Sequence, residues 1–421
     1  MRAQDSTGRV DGLDAARALL MLLGVVLHSS SWQEPRVLFD AITLVSHSFR
    51  MGAFFALSGF LAAVALQRRS PRLWLQRRLA RLGVPAVFGL LVLCPLTGWV
   101  LSHRPPHASW GPPLPYDWYH LWFLVALLLY TPVFCLLDGW QRRSGALDRA
   151  VSLLGRPPEL SRTLLLIGLA SFALMLLAMS LVKAALPIAY FQSFSELRNV
   201  LGYLPVALFG FTLARSEALG RASENWRVPM VFVGVTAATY VVWFLLVSPL
   251  VPPDARNILS HLIALGGAAF CPPAAFLLLF GAALRVRAVP AVLKTVADAS
   301  FTIYLLHVPV IAAINIGFAR VAWDPYFEFA ITVVLSSSLT LAFHQLAVRR
   351  SPLLALLLNG VPLPRSVDET RHHVAVAAAD LDLRAGAEDQ EALAIGMGLH
   401  LLDEVEIDDG GAVHPLKPAG I

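Results

Sequence analysis

The sequence predicts an all-α fold, a polytopic membrane bundle of about ten transmembrane helices, and three observations carry that prediction. First, 57% of the residues are hydrophobic and 14% charged, with a mean hydropathy of +0.65, whereas soluble domains carry about 25% charged residues. Second, apolar runs near the ~20 residues needed to cross a bilayer recur at 13–31, 46–66, 82–101, 120–137, 162–183, 200–214, 228–247, 259–284, 302–319 and 327–347. Third, the cations alternate. They crowd the connections after the second, fourth, sixth and eighth runs (Arg68 to Arg81, Arg142 to Arg156, Arg215 to Arg227, Arg285 to Lys294), while the other connections hold few, such as Arg104, Arg256 and Arg320. That bias predicts both termini in the cytoplasm.

In chain order, the first run is not a cleavable signal: it carries Asp14 and Arg17, and no small-residue cleavage site follows Ser31. Arg17 and His28 are eleven residues apart, about three full turns, so they share one face about 16 Å apart. Asp14, Met21 and Gly24 fall on the same stripe. A charged and ionisable line on an apolar helix is costly unless it faces a partner or a wet cavity, so this helix is predicted to lie inside the bundle. The second run opens on HSFRM, with His47 facing His28 across a 31–45 connection. The basic stretch RRSPRLWLQRRLAR follows as a loop and an interfacial helix that enters Pro85. His120 opens the fourth run, and the sixth is short and contains Pro205. His307 lies about two turns into the ninth. Trp110, Tyr116, Trp118 and Tyr119, and then Trp323, Tyr326 and Phe327, fit an interfacial aromatic belt.

Residues 1–350 therefore read as a transmembrane domain and 351–421 as an acidic, disordered cytoplasmic tail with room for a short helix near 385–402. Residues 365–421 hold 4 Lys/Arg against 12 Asp/Glu, and 1–364 hold 29 against 16. A basic membrane body explains the net charge of +5 without nucleic-acid binding. Cys94, Cys135 and Cys271 show neither pairing nor metal-ligand spacing and read as small apolar residues. No H-E-x-x-H, carboxylate-rich membrane cluster or Gly-rich phosphate loop is present, so no metal site is expected.

Each remaining polar residue has a plain and a functional reading. A histidine at a helix end can be an interfacial anchor, and His261 and His344 are read so. For His28 that reading weakens, because Arg17 on the same face already calls for a polar interior. His47 and Arg50, three apart, are either an anchor or a cationic edge able to hold an anionic group. Arg78 and Arg81 are an ordinary topology determinant, or a pair of guanidiniums spaced to engage phosphates.

Taken together these residues resemble the acyltransferase 3 family of integral membrane acyltransferases. The resemblance covers about 10–350 and rests on LDAAR…H with ten residues between Arg17 and His28, FFALSGFL at 54–61, Arg78-Leu-Ala-Arg81 followed by Pro85, HLWFL at 120–124 and SFTIYLLHVPV at 300–310. HSFRMGAFFALSGF and HLWFLVALLLY look most like the branch associated with succinylation of osmoregulated periplasmic glucans. Ala18 stands where the family's first motif has a glycine. The acidic tail has no counterpart.

The resemblance implies a bacterial inner-membrane enzyme that moves an acyl group from cytoplasmic acyl-CoA to a carbohydrate across the bilayer. It uses no permanently bound cofactor, and the donor is succinyl-CoA or acetyl-CoA. It assigns His28 and Arg17 to catalysis, with His28 as base or acyl carrier, and Asp14 on the same stripe is counted with them; an unperturbed imidazole pKa near 6.5 suits either role. Arg78 and Arg81, the R-x-x-R motif, would hold the CoA phosphates; beyond that carry-over, His47, Arg50, His120 and His307 are read from their positions as candidates to hold the substrate, with Arg50 available to the free carboxylate of a succinyl group. A transporter or flippase for a glycan-linked substrate explains the polar interior equally well but gives no reason for the R-x-x-R motif. A membrane scaffold leaves the buried Arg17 and His28 as an unexplained cost of a few kcal/mol.

Overall fold

A computed structural model describes residues 11–33, 36–103, 117–153, 159–187, 194–286, 288–319, 321 and 323–363, with two short strands beyond them. The chain divides into two units, Met1–Pro362 and Leu363–Ile421. In the second, Glu406–Ile407 pairs antiparallel with Val413–His414. The remainder of the acidic tail, with its possible helix at 385–402, lies outside the described residues. So do Trp110, Tyr116, Arg104, Arg156, Arg287 and Arg320.

All ten apolar runs are helical. Among the described residues nine helices are long and apolar enough to cross a membrane: α1 Gly12–Ser30, α2 Val37–Arg68, α3 Pro71–Ser102, α4 Tyr119–Ser144, α5 Leu160–Ala185, then α7 Arg227–Leu250, α8 Pro253–Arg285, α9 Ala291–Phe318 and α10 Pro325–Val348. The run at 200–214 is the shorter helix α6, Leu197–Leu213. A last helix, α11, covers Pro352–Asn359. Helix α1 packs against α2, α8, α9 and α10, the interior place that its polar stripe demands. At the rim, α7 leaves Val231, Val235, Leu245 and Leu246 exposed, an apolar face suited to lipid.

Two boundaries differ from the sequence reading. Helix α2 begins at Val37 rather than near 46, so His47 lies three turns inside it and the link from α1 is only a few residues. Asp40, Ser46, Ser48 and Arg50 depress the hydropathy of this stretch, but the helix buries Phe39, Ser46, Ser48 and Arg50 against its neighbours. Its 32 residues reach about 48 Å. The basic stretch is not a loop either. Arg69 and Ser70 alone separate α2 from α3. Ser70 caps α3, accepting from the Leu73 N–H at 3.4 Å, and Pro71 occupies the first turn. Arg78, Arg81 and Pro85 therefore belong to one continuous helix, which carries a π-turn at Gly89–Leu93.

Close approach of backbones builds the centre. A Cβ on Gly59 would lie 2.0 Å from the Ala207 carbonyl oxygen, and one on Gly210 would lie 1.9 Å from that of Ala56. Helices α2 and α6 therefore touch backbone to backbone, the contact that small residues permit where no hydrophobic force drives helices together. At the end of the bundle that carries Arg68, Asp138 of α4 is fully buried. It accepts from Arg142 Nε at 2.8 Å and from Arg215 Nη2, and Arg142 also donates to the Leu66 carbonyl at 2.7 Å. One carboxylate thus ties the ends of α2, α4 and α6.

Candidate functional site

A cavity of about 530 Å³ opens among α1, α2, α3, α4 and α9. Four of these elements supply most of its polar wall. Helix α1 contributes Asp14 and Arg17, paired at 3.2 Å across three residues. Helix α3 contributes Arg78 and Arg81, α2 contributes Ser58, and α9 contributes Asp298 and Ser300. Arg78 donates to Ser58 Oγ at 2.7 Å and lies over the Trp74 ring at 5.4 Å. The two arginines of the R-x-x-R motif thus share one chamber with the Arg17–Asp14 pair.

The inner end of the cavity is aromatic. Phe54 and Phe123 line it and meet edge to face at 4.7 Å, and Phe123 packs on Tyr304 at 5.5 Å. Behind this layer lie His28, His120 and His307, from α1, the start of α4 and α9. Their ring centroids are 5.1 Å apart for His28 and His307, 4.8 Å for His120 and His307, and 6.3 Å for His28 and His120. His120 and His307 are buried and His28 is half-buried.

The tautomer of His307 follows from its partners. Its Nδ1 lies 2.7 Å from the Tyr304 carbonyl and 3.1 Å from that of Ile303. A carbonyl only accepts, so Nδ1 carries the proton and Nε2 presents a lone pair. That Nε2 is buried without a protein partner. Tyr304 holds the neighbouring element, its hydroxyl donating to the His120 carbonyl at 2.7 Å. The approach to His120 is tightly shaped: Tyr119 adopts φ +45°, and its N–H donates to Asp117 Oδ1 at 2.7 Å. Burial raises the Asp117 carboxyl above its ordinary range, and the Tyr119 N–H bond opposes that shift.

Arg50 is 8% exposed and donates from Nε to Ser46 Oγ at 3.0 Å. Among the described residues no carboxylate lies within ion-pair distance of it. Gly24, one turn before His28, makes room for its head: a Cβ there would lie 2.6 Å from Arg50 Nη1. A desolvated guanidinium with one neutral acceptor is an unusual expense in an apolar bundle, since buried charges are normally paired. It leaves a buried positive charge beside the imidazole cluster.

The structure therefore gathers the predicted residues into two groups. Arg17, Asp14, Arg78 and Arg81 line the cavity, and His28, His120 and His307 cluster beyond its aromatic end. Arg50 joins the second group through Gly24. His47 is exposed and makes no ring contact with the trio; its Nδ1 donates to the Thr43 carbonyl one turn back at 2.9 Å, and it sits three residues before Arg50 on the same helix, within reach of that charge. His344 engages Thr302 at 2.8 Å. Among the described residues no group of His, Cys, Asp and Glu has a geometry to hold a metal ion. Sequence reasoning did not single out Tyr304, the Phe54–Phe123 layer, Ser46 or Asp138. The last had a signal, a lone acid four residues before Arg142 in an apolar helix.

Residues 10–345 match the acyltransferase domain family. The glucans biosynthesis protein C of Escherichia coli O1:K1 / APEC and that of Escherichia coli O139:H28 (strain E24377A / ETEC) are each 32% identical over 139 residues. The aligned region is 28% of this chain and 36% of each relative, so the chain spans little more than a third of the curated relatives it matches. No solved structure matches the chain.

Proposed function

The chain belongs to the acyltransferase 3 family of membrane acyltransferases, and from that premise we propose that it transfers a succinyl or acetyl group from cytoplasmic acyl-CoA to a hydroxyl of a periplasmic or cell-surface carbohydrate. In this reading the protein sits in a bacterial inner membrane with both termini in the cytoplasm. Arg78 and Arg81 hold CoA phosphates at the cytoplasmic mouth, Arg17 with Asp14 lines the path of the thioester arm, and the histidines meet the acceptor from the far side.

The observation that carries the reading is the juxtaposition itself: a cavity with three guanidiniums at one end and, past its aromatic end, three clustered imidazoles beside a buried Arg50. The chemistry balances on these groups. The acceptor oxygen attacks the thioester carbonyl carbon while His28 takes the hydroxyl proton. Arg50 offers its charge to the oxyanion that forms, or to the free carboxylate of a succinyl group. Collapse breaks the C–S bond, and the CoA sulfur leaves with the proton returned by His28, giving an ester and a free thiol. In the covalent variant His28 itself carries the acyl group between the two halves of the reaction. His307, with its lone pair on Nε2, can accept a hydrogen bond from His28 and orient that ring.

Membrane vesicles containing the protein, incubated with radiolabelled succinyl-CoA or acetyl-CoA and a crude periplasmic glycan fraction, test the proposal. Label entering glycan only when the protein is present supports it and identifies the donor. Solute flux without any acyl transfer would favour a transporter instead.

A further inference from the structure

The cavity wall continues past the family match. The match stops at residue 345, yet Asn359 and Val361 line the same chamber as Arg17, Arg78 and Arg81. The sequence reading ended the membrane body at 350, and α11 nevertheless packs on α3 and α9. Its local sequence explains why it forms. Ser351 caps it, accepting from the Leu354 N–H at 3.3 Å, Pro352 fills the first position, and Leu358 is buried at the far end.

The end of α11 is fixed at two points. Gly360 takes φ +61° and returns its N–H to the Leu356 carbonyl at 2.9 Å, a left-handed cap that favours glycine. Glycine is required there for a second reason. A Cβ would lie 2.2 Å from the Arg81 carbonyl oxygen and 2.5 Å from its Cα. The backbone at 360 is thus seated directly on the backbone of the second arginine of the R-x-x-R motif. Asn359 is the other point. The Thr302 hydroxyl donates to Asn359 Oδ1 at 3.0 Å. Its one proton is spent there, so it accepts from His344 Nδ1–H at 2.8 Å. This His344–Thr302–Asn359 chain orients the carboxamide and leaves its two N–H donors for the cavity that Asn359 lines.

We propose that the C-terminal end of α11, residues 359–361, is part of the donor site, with Gly360 setting the position of Arg81 and Asn359 donating a hydrogen bond to an acceptor oxygen of the CoA moiety. The proposal rests on the acyl-CoA reading of the cavity. Asn359 is a binding residue, and Gly360 a positioning residue that acts through Arg81.

The test is binding of free CoA, which has no acyl group to transfer, to purified full-length protein in detergent by titration calorimetry. Asn359→Leu should weaken CoA about tenfold, the loss of one hydrogen bond to a charged acceptor. Gly360→Ala should weaken it at least as much. Leu353→Ala, on an exposed part of the same helix, should stay within twofold. In transfer assays the Asn359→Leu loss should fall on KM for acyl-CoA, with kcat within twofold. Since Gly360→Ala can disturb folding, Asn359→Leu at an unchanged thermal midpoint decides. Wild type binding CoA while Asn359→Leu and Gly360→Ala bind it equally well would overturn the proposal and leave the acyl-CoA reading standing. Wild type that binds no CoA would overturn both.

Discussion

Replacing Arg50 by methionine should move stability and activity in opposite directions. The side chain is 8% exposed, makes one side-chain hydrogen bond, to Ser46 Oγ, and faces no carboxylate among the described residues. Losing that bond costs about 1.5–3 kcal/mol, while removing an uncompensated buried ion relieves several kcal/mol of desolvation. The balance favours the variant by about 1–3 kcal/mol. Catalysis should suffer, because a positioned cation facing developing negative charge contributes about 10²–10³ in kcat. Gly24→Ala probes the same group with its charge kept. The guanidinium would have to retreat by about 1 Å from the 2.6 Å position, and displacement on that scale costs up to about 10²-fold. The assays are a thermal or denaturant midpoint in detergent and the vesicle transfer rate per folded molecule. A destabilised Arg50→Met with an unchanged rate would instead make Arg50 a structural group.

Three further outcomes follow from the geometry. Arg78→Ala, which also abandons Ser58, should raise KM for acyl-CoA and leave kcat within a few-fold; an unchanged KM would remove Arg78 from the donor site. Asp138→Leu should destabilise the bundle by about 3 kcal/mol, the low end for breaking a buried pair because Arg142 is half-exposed. Adding Arg215→Met should recover most of that, and a double variant no better than the single would show that the pair is not the cause. His307→Phe keeps the aromatic packing on Tyr304 but removes the Nε2 lone pair, so kcat should fall about 10²-fold at constant KM. An unchanged kcat would reduce the trio to packing.

The helices were legible because length and apolarity alone define a span, and α1 announced its interior place through Arg17 and His28. The start of α2 was hidden because its polar residues are buried against other helices, which a hydropathy window counts as surface. The convergence of His28, His120 and His307 could not be read from spacing, since it depends on how α1, α4 and α9 pack. Nor could the wall at Asn359 and Val361, although Ser-Pro before an apolar run and Asn-Gly after it mark both ends of α11. Composition assigned that segment to the tail, but eight capped residues with a buried leucine are enough to join the bundle.

The most direct measurement of the central claim is transfer by His28→Ala in the same vesicles, with the amount and thermal midpoint of the protein matched to wild type. Label should no longer pass from acyl-CoA to the glycan, while CoA still binds at the Arg78 end of the cavity. Undiminished transfer by the folded variant would contradict the claim and move the chemistry away from the histidine cluster.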